Sequence, residues 1–142
     1  MRYFTLADAE RALPAVERLL RDALFHKAEY QRAHTELEET TQRIRMSGGS
    51  RVDPNALRAL RNRGDASLAG LKQALEEIQE AGALIKDLDI GLLDFMTRYR
   101  DRDVCLCWKL GEDAIRFWHG EEEGFRGRKP IDPEFLANHG IY

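Results

Sequence analysis

Cysteine is scarce: Cys105 and Cys107 are the only two among 142 residues. They stand two apart in a strand-like run, so both thiols project from one face about 7 Å apart. That spacing suits no disulfide without backbone distortion, which excludes a disulfide-stapled scaffold and agrees with a reducing compartment. Long apolar runs are missing as well. None approaches the roughly 20 residues needed to cross a bilayer, and Met1-Arg2-Tyr3-Phe4-Thr5 lacks the apolar stretch of a secretion signal. A cytoplasmic protein without a membrane span is expected. Positive charge is not in excess: 22 basic residues face 25 acidic ones, a formal charge of -3. No net field draws the chain onto phosphate backbones, so nucleic acid is not an expected partner. Compact catalytic motifs are also lacking. There is no Cys-x-x-Cys pair, no His-Glu-x-x-His helix and no Gly-x-Ser-x-Gly turn, so no substrate or reaction follows and enzymatic activity is left open.

What is present is a hydrophobic content of 43% at a length typical of one domain, enough for a single modest core over residues 1–142. Thr5 and Asp8 resemble a capping box, after which Leu6, Ala9 and Leu13 begin a helical rhythm. Pro14 predicts either a short separate opening turn or a kink. Val16, Ala23, Tyr30, Leu37 and Ile44 then recur every seven residues, with Leu20, Lys27, His34 and Thr41 between them. Ser47-Gly48-Gly49-Ser50 reads as a turn, and Asp53-Pro54 as a fresh helix start. Leu57, Gly64, Leu71, Ile78 and Ile85 repeat the same spacing. The expectation is an antiparallel helical hairpin over residues 5–86. Gly64, Gly70 and Gly82 each cost roughly 1 kcal/mol inside a helix, so they mark close packing or an end, with Gly82 the candidate end. His34 is expected to be buried against a hydroxyl, although Glu38 four residues on offers a possible second ligand.

After Asp87 the character changes. Gly91–Phe95, Val104–Trp108 and Ile115–His119 are short and rich in β-branched, aromatic and aliphatic residues, which predicts three strands in an antiparallel meander over 91–119. Tyr99–Asp103 and Gly111–Asp113 read as the connectors, and residues 120–142 as a loop-rich tail with a possible last turn at Pro133–Asn138. The class is therefore α+β. A helix from Pro14 to Met46 would span ~50 Å. Such a hairpin leaves Leu13, Leu19, Leu24, Leu68 and Leu75 in need of cover, for which a second copy of the chain, as a homodimer or four-helix arrangement, is the expected partner.

Residue types that do chemistry concentrate in the last third. Asp94, Cys107, Glu112 and His119 offer oxygen, sulfur and nitrogen ligands to a divalent metal, the cofactor this set would take. His119 shares a strand face with Ile115 and Phe117, but parity alone does not say whether that face also carries the cysteines. The ordinary alternative makes Cys105 and Cys107 small core residues and Glu121–Glu123 a solvated loop. Arg126 and Arg128, spaced by Gly127, are candidates for holding a phosphate or carboxylate, against a basic loop neutralised by the same glutamates. Trp108, Phe117 and Trp118 form a possible stacking platform, but the acidic neighbours disfavour nucleic acid.

Phe4-Thr5-Leu6 with Leu13-Pro14, then Lys86-Asp87, Gly91-Leu92-Leu93-Asp94-Phe95 and Leu106-Cys107-Trp108-Lys109-Leu110-Gly111-Glu112 form a distinctive set. With Phe117-Trp118-His119 and Gly124-Phe125-Arg126-Gly127-Arg128-Lys129-Pro130, the chain resembles the uncharacterised bacterial family catalogued as domain of unknown function 2203. The resemblance implies a small bacterial cytosolic protein with no transferable activity. It marks Asp94, Cys107, Glu112, His119, Phe125 and Arg128 as motif positions, while Lys129 stands where glutamine is expected in many relatives. The leading expectation is a self-associating interaction or scaffold protein. The alternative is a metal- or small-anion-binding protein with its site in the sheet region, with enzymatic activity left open.

Overall fold

The computed structural model describes residues 2–48 and 53–140, so Gly49 and Ser50 of the expected turn and the last two residues of the tail lie outside the described residues. Two long helices come first, α1 over Leu6–Met46 and α2 over Pro54–Glu80. Strands β1 (Leu84–Asp87), β2 (Leu92–Tyr99), β3 (Arg102–Lys109), β4 (Phe117–Gly120) and β5 (Lys129–Pro130) follow, and a short helix α3 spans Pro133–Asn138. Chain contacts divide the molecule into two compact units, residues 1–20 with 76–142, and residues 21–75. Among the described residues no helix is long and apolar enough to cross a membrane.

In the first unit, α1 opens on a reciprocal cap. The Asp8 amide donates to the Thr5 hydroxyl at 3.1 Å, and the Thr5 amide donates to the Asp8 carboxylate at 3.3 Å. The His139 ring supplies a further cap from far along the chain: its Nε2 accepts from the Leu6 amide at 2.9 Å. The helix runs through Pro14, so no separate opening turn exists. Proline inside a helix costs about 3 kcal/mol, and burial around it outweighs this. Leu13 and Val16 are 7% and 0% exposed, and each buried aliphatic side chain contributes about 1.5–3 kcal/mol. Helix α2 ends where its glycine allows. Gly82 has φ +97°, its amide donates to the Gln79 carbonyl, and the Ala83 amide donates back to that of Ile78, a Schellman stop.

The sheet has five strands in the order β1-β2-β3-β4-β5, each pair antiparallel. The expectation of three is thus corrected. Residues 84–87, including Ile85, leave the helical rhythm because the Gly82 stop turns the chain and lets Leu84 and Ile85 pair with Asp94 and Leu93. Residues 129–130 pair with Trp118 and Phe117. The β2–β3 connector shrinks to Arg100-Asp101, with φ of 52° and 62°, the double left-handed turn that matches strand twist. One sheet face is apolar. Phe95 meets Phe4 edge-on at 5.1 Å, and Phe135 of α3 lies 4.8 Å from Tyr99 and 4.9 Å from Trp118 between ring centroids.

In the second unit, the later part of α1 and the earlier part of α2 run antiparallel. Ala33 lies opposite Gly64 and His26 opposite Gly70, and Arg63 pairs with Glu36. A Cβ at position 70 would come within 2.7 Å of the His26 ring, so glycine there admits the imidazole. His34 is not buried as expected: it is solvent-exposed and pairs with Glu38 at 2.9 Å.

Candidate metal centre

Strand register settles what parity left open. Asp94 of β2 stands directly opposite Cys107 of β3, and Cys105 of β3 opposite His119 of β4. Partners across a ladder share a face, as do residues two apart on a strand. Asp94, Met96, Cys105, Cys107 and His119 therefore project from the same side of the sheet. Asp94 and Cys107 are 0% exposed and His119 is 4% exposed. One ligand atom from each of these three lies within 4.8 Å of the others, the one such convergence of His, Cys, Asp or Glu side chains among the described residues.

His119 is held at both nitrogens. Nδ1 lies 2.7 Å from the Gly120 carbonyl oxygen, and Nε2 lies 3.1 Å from each Asp94 carboxylate oxygen. A carbonyl only accepts, so Nδ1 carries a proton and donates to it. Nε2 then faces a carboxylate, also an acceptor, and the contact requires either a second ring proton or a cation in between. In the absence of metal the carboxylate of Asp94, aided by the Cys107 side chain and opposed by burial, pushes His119 up to about 10. The neighbouring Cys105 thiol is pushed up to about 12, chiefly by burial and then by the Asp94 charge.

One donor pair stands at ligand spacing. Tetrahedral zinc with N and O ligands at about 2.0–2.1 Å sets those ligands about 3.3 Å apart, close to the 3.1 Å between Nε2 and the carboxylate. A histidine that ligates through one nitrogen commonly donates its other N–H to a carbonyl, which fixes tautomer and ring orientation. Gly120 stands in that position.

Glu112 lies apart from this group. Its Oε1 accepts from the Lys109 amide at 2.6 Å and from Arg128 Nη2 at 2.6 Å. Arg128 also donates to the Cys107 carbonyl at 3.3 Å, and its guanidinium lies over the Phe117 and Phe125 rings at 4.2 and 4.8 Å. Arg128 is thus neutralised and sandwiched, and it braces the backbone of Cys107. Arg126 is exposed in the short 3₁₀ turn Phe125–Gly127. Cys105 and Met96, absent from the sequence-based ligand set, stand beside it: the Cys105 thiol donates to Met96 Sδ at 3.5 Å. The i, i+2 spacing of the cysteines was the signal for the first, whereas nothing local in the sequence points to Met96.

A family model described as "Uncharacterized conserved protein (DUF2203)" matches residues 2–131. The chain belongs to the DUF2203 family. The match contains both long helices, the whole sheet and every residue of the candidate centre. No curated protein and no solved structure matches the chain.

Proposed function

We propose that this DUF2203 protein binds a transition-metal ion of the zinc class through Asp94, Cys107 and His119. The observation that carries the reading is the placement of His119 Nε2 against both oxygens of a fully buried carboxylate while Nδ1 is committed to a carbonyl. An anion sealed from water calls for a compensating cation. A divalent ion takes over that role from the doubly protonated His119: the Nε2 proton is released so that this nitrogen can ligate, and a second proton leaves as the Cys107 thiol becomes a thiolate ligand. Nitrogen, oxygen and sulfur donors in one set suit zinc and cobalt better than magnesium or calcium, which favour oxygen alone.

Untagged protein loaded with zinc and desalted is expected to keep about one ion per chain and to melt at higher temperature than chelated protein. Cobalt(II) serves as the optical probe, since a thiolate ligand adds a sulfur-to-metal absorption band. Cys107→Ser should remove that band and His119→Ala should abolish retention, while Glu112→Gln should leave both intact. Wild-type protein that keeps no ion and shows no zinc-dependent melting shift overturns the proposal.

Self-association through the hairpin is a second reading, favoured by the apolar surface α1 leaves uncovered. Phe25 is 59% exposed and Met46 80% exposed, and Leu24, Tyr30, Leu37 and Ile44 of the same helix are only half-buried. A sedimentation mass of one chain at micromolar concentration refutes this reading and leaves the metal reading untouched.

A further inference from the structure

Three sulfur atoms project from the face that carries the centre. Met96, Cys105 and His119 form one cross-strand row over β2, β3 and β4, and Asp94 with Cys107 forms the row beside it. Exposure is 3% at Met96, 1% at Cys105 and 0% at Cys107, so no sulfur has water as a competing partner. The Cys105 thiol donates to the Met96 thioether at 3.5 Å. Thiol-to-thioether is a weak hydrogen bond, and it holds these two sulfurs at contact distance.

We propose that Met96 and Cys105 form a soft subsite that takes a monovalent d¹⁰ ion, copper(I), next to the Asp94–Cys107–His119 set. The inference rests on the metal reading, and it names the class of ion that the extended donor set selects. A thioether adds little for zinc or any harder ion, yet thiolate and thioether together favour copper(I). The charge balance agrees. Copper(I) replaces the proton on Cys105, so a neutral thiol becomes a neutral metal thiolate and the buried face acquires no new net charge. A divalent ion at the same pair would leave one positive charge in a dry place, an outcome that burial strongly disfavours.

The test is an anaerobic titration of reduced protein with copper(I) against bicinchoninate, run in parallel with the cobalt(II) absorption assay. Met96→Leu conserves volume and shape closely enough to keep the fold, and Cys105→Ala removes the thiol. Wild-type protein should capture about one copper(I) from the competitor. Met96→Leu should weaken capture at least 10-fold and Cys105→Ala should abolish it, with the cobalt(II) band of Met96→Leu unchanged. Equal copper(I) capture by wild type and Met96→Leu, with cobalt(II) still bound, overturns the soft subsite and leaves the zinc-class reading standing. Failure of wild type to bind either ion overturns the zinc-class reading, and the subsite falls with it.

Discussion

Replacing Asp94 by asparagine tests whether the centre is as dry as its burial states. In chelated protein the buried carboxylate faces a doubly protonated His119, 3.1 Å from Nε2. At an effective dielectric constant of about 20 that separation corresponds to about 5 kcal/mol of attraction. Truncating one partner of a buried pair strands the other and costs about 3–5 kcal/mol. Asparagine keeps the shape and one acceptor oxygen, so about 3 kcal/mol is expected. With a urea slope of about 2 kcal/mol/M, the midpoint of chelated protein at pH 7 should fall by about 1.5 M. The pH dependence adds a second readout. Because Asp94 pushes His119 from 6.5 up to about 10, the pair's contribution is whole below about 6.5 and is lost as pH rises through about 10. Wild type should therefore weaken on the alkaline side, and Asp94→Asn should lack that weakening. A midpoint shift under about 0.5 M, or the same alkaline profile in both proteins, would refute the claim that the pair is sealed and mutually charged.

Two glycines should respond in opposite directions to alanine. At Gly64 a new Cβ would sit 3.6 Å from Ala33, so the gain in helix propensity of about 1 kcal/mol should appear as a raised urea midpoint. At Gly91, with φ +70°, a Cβ would sit 2.5 Å from the Leu110 Cβ, and the combined backbone strain and clash should lower stability by about 2 kcal/mol or more in the same titration. His139→Ala removes the ring that accepts from the Leu6 amide and should cost about 1–2 kcal/mol, with faster hydrogen exchange at Leu6 measured by NMR. Both thiols, 1% and 0% exposed, should resist a soluble alkylating reagent in native protein and react together once urea unfolds it.

Much of the architecture was legible because it rests on local rules. Thr5 and Asp8, the seven-residue spacing of Val16 to Ile44, and the Gly82 stop each express a preference that belongs to a few neighbouring residues. The α+β order followed from the change in residue type after Asp87. The sheet was under-read where pairing is non-local. Leu84-Ile85 fits a helical rhythm and becomes a strand only because β2 offers an edge, and Lys129-Pro130 has nothing strand-like until it meets Phe117 and Trp118. Arg100-Asp101 also lacks the glycine or asparagine that usually announces a two-residue turn, which is why the connector was expected to be longer. For the candidate centre, residue type pointed to Asp94, Cys107 and His119, and cross-strand register brings them together. Glu112 belonged to the same list by type alone, and Arg128 holds it elsewhere. Met96 was invisible as a donor because a methionine in a hydrophobic strand is ordinarily core.

The His139 cap on α1 joins residues 133 positions apart in the chain. While the chain is being synthesised, the long helix can wind and pair with α2, but the Leu6 amide has no ring to receive it until α3 has been made. This contact at the helix start therefore waits for residue 139. Closure of so long a loop slows folding, and the first turn of α1 should be the last part of that helix to gain full protection.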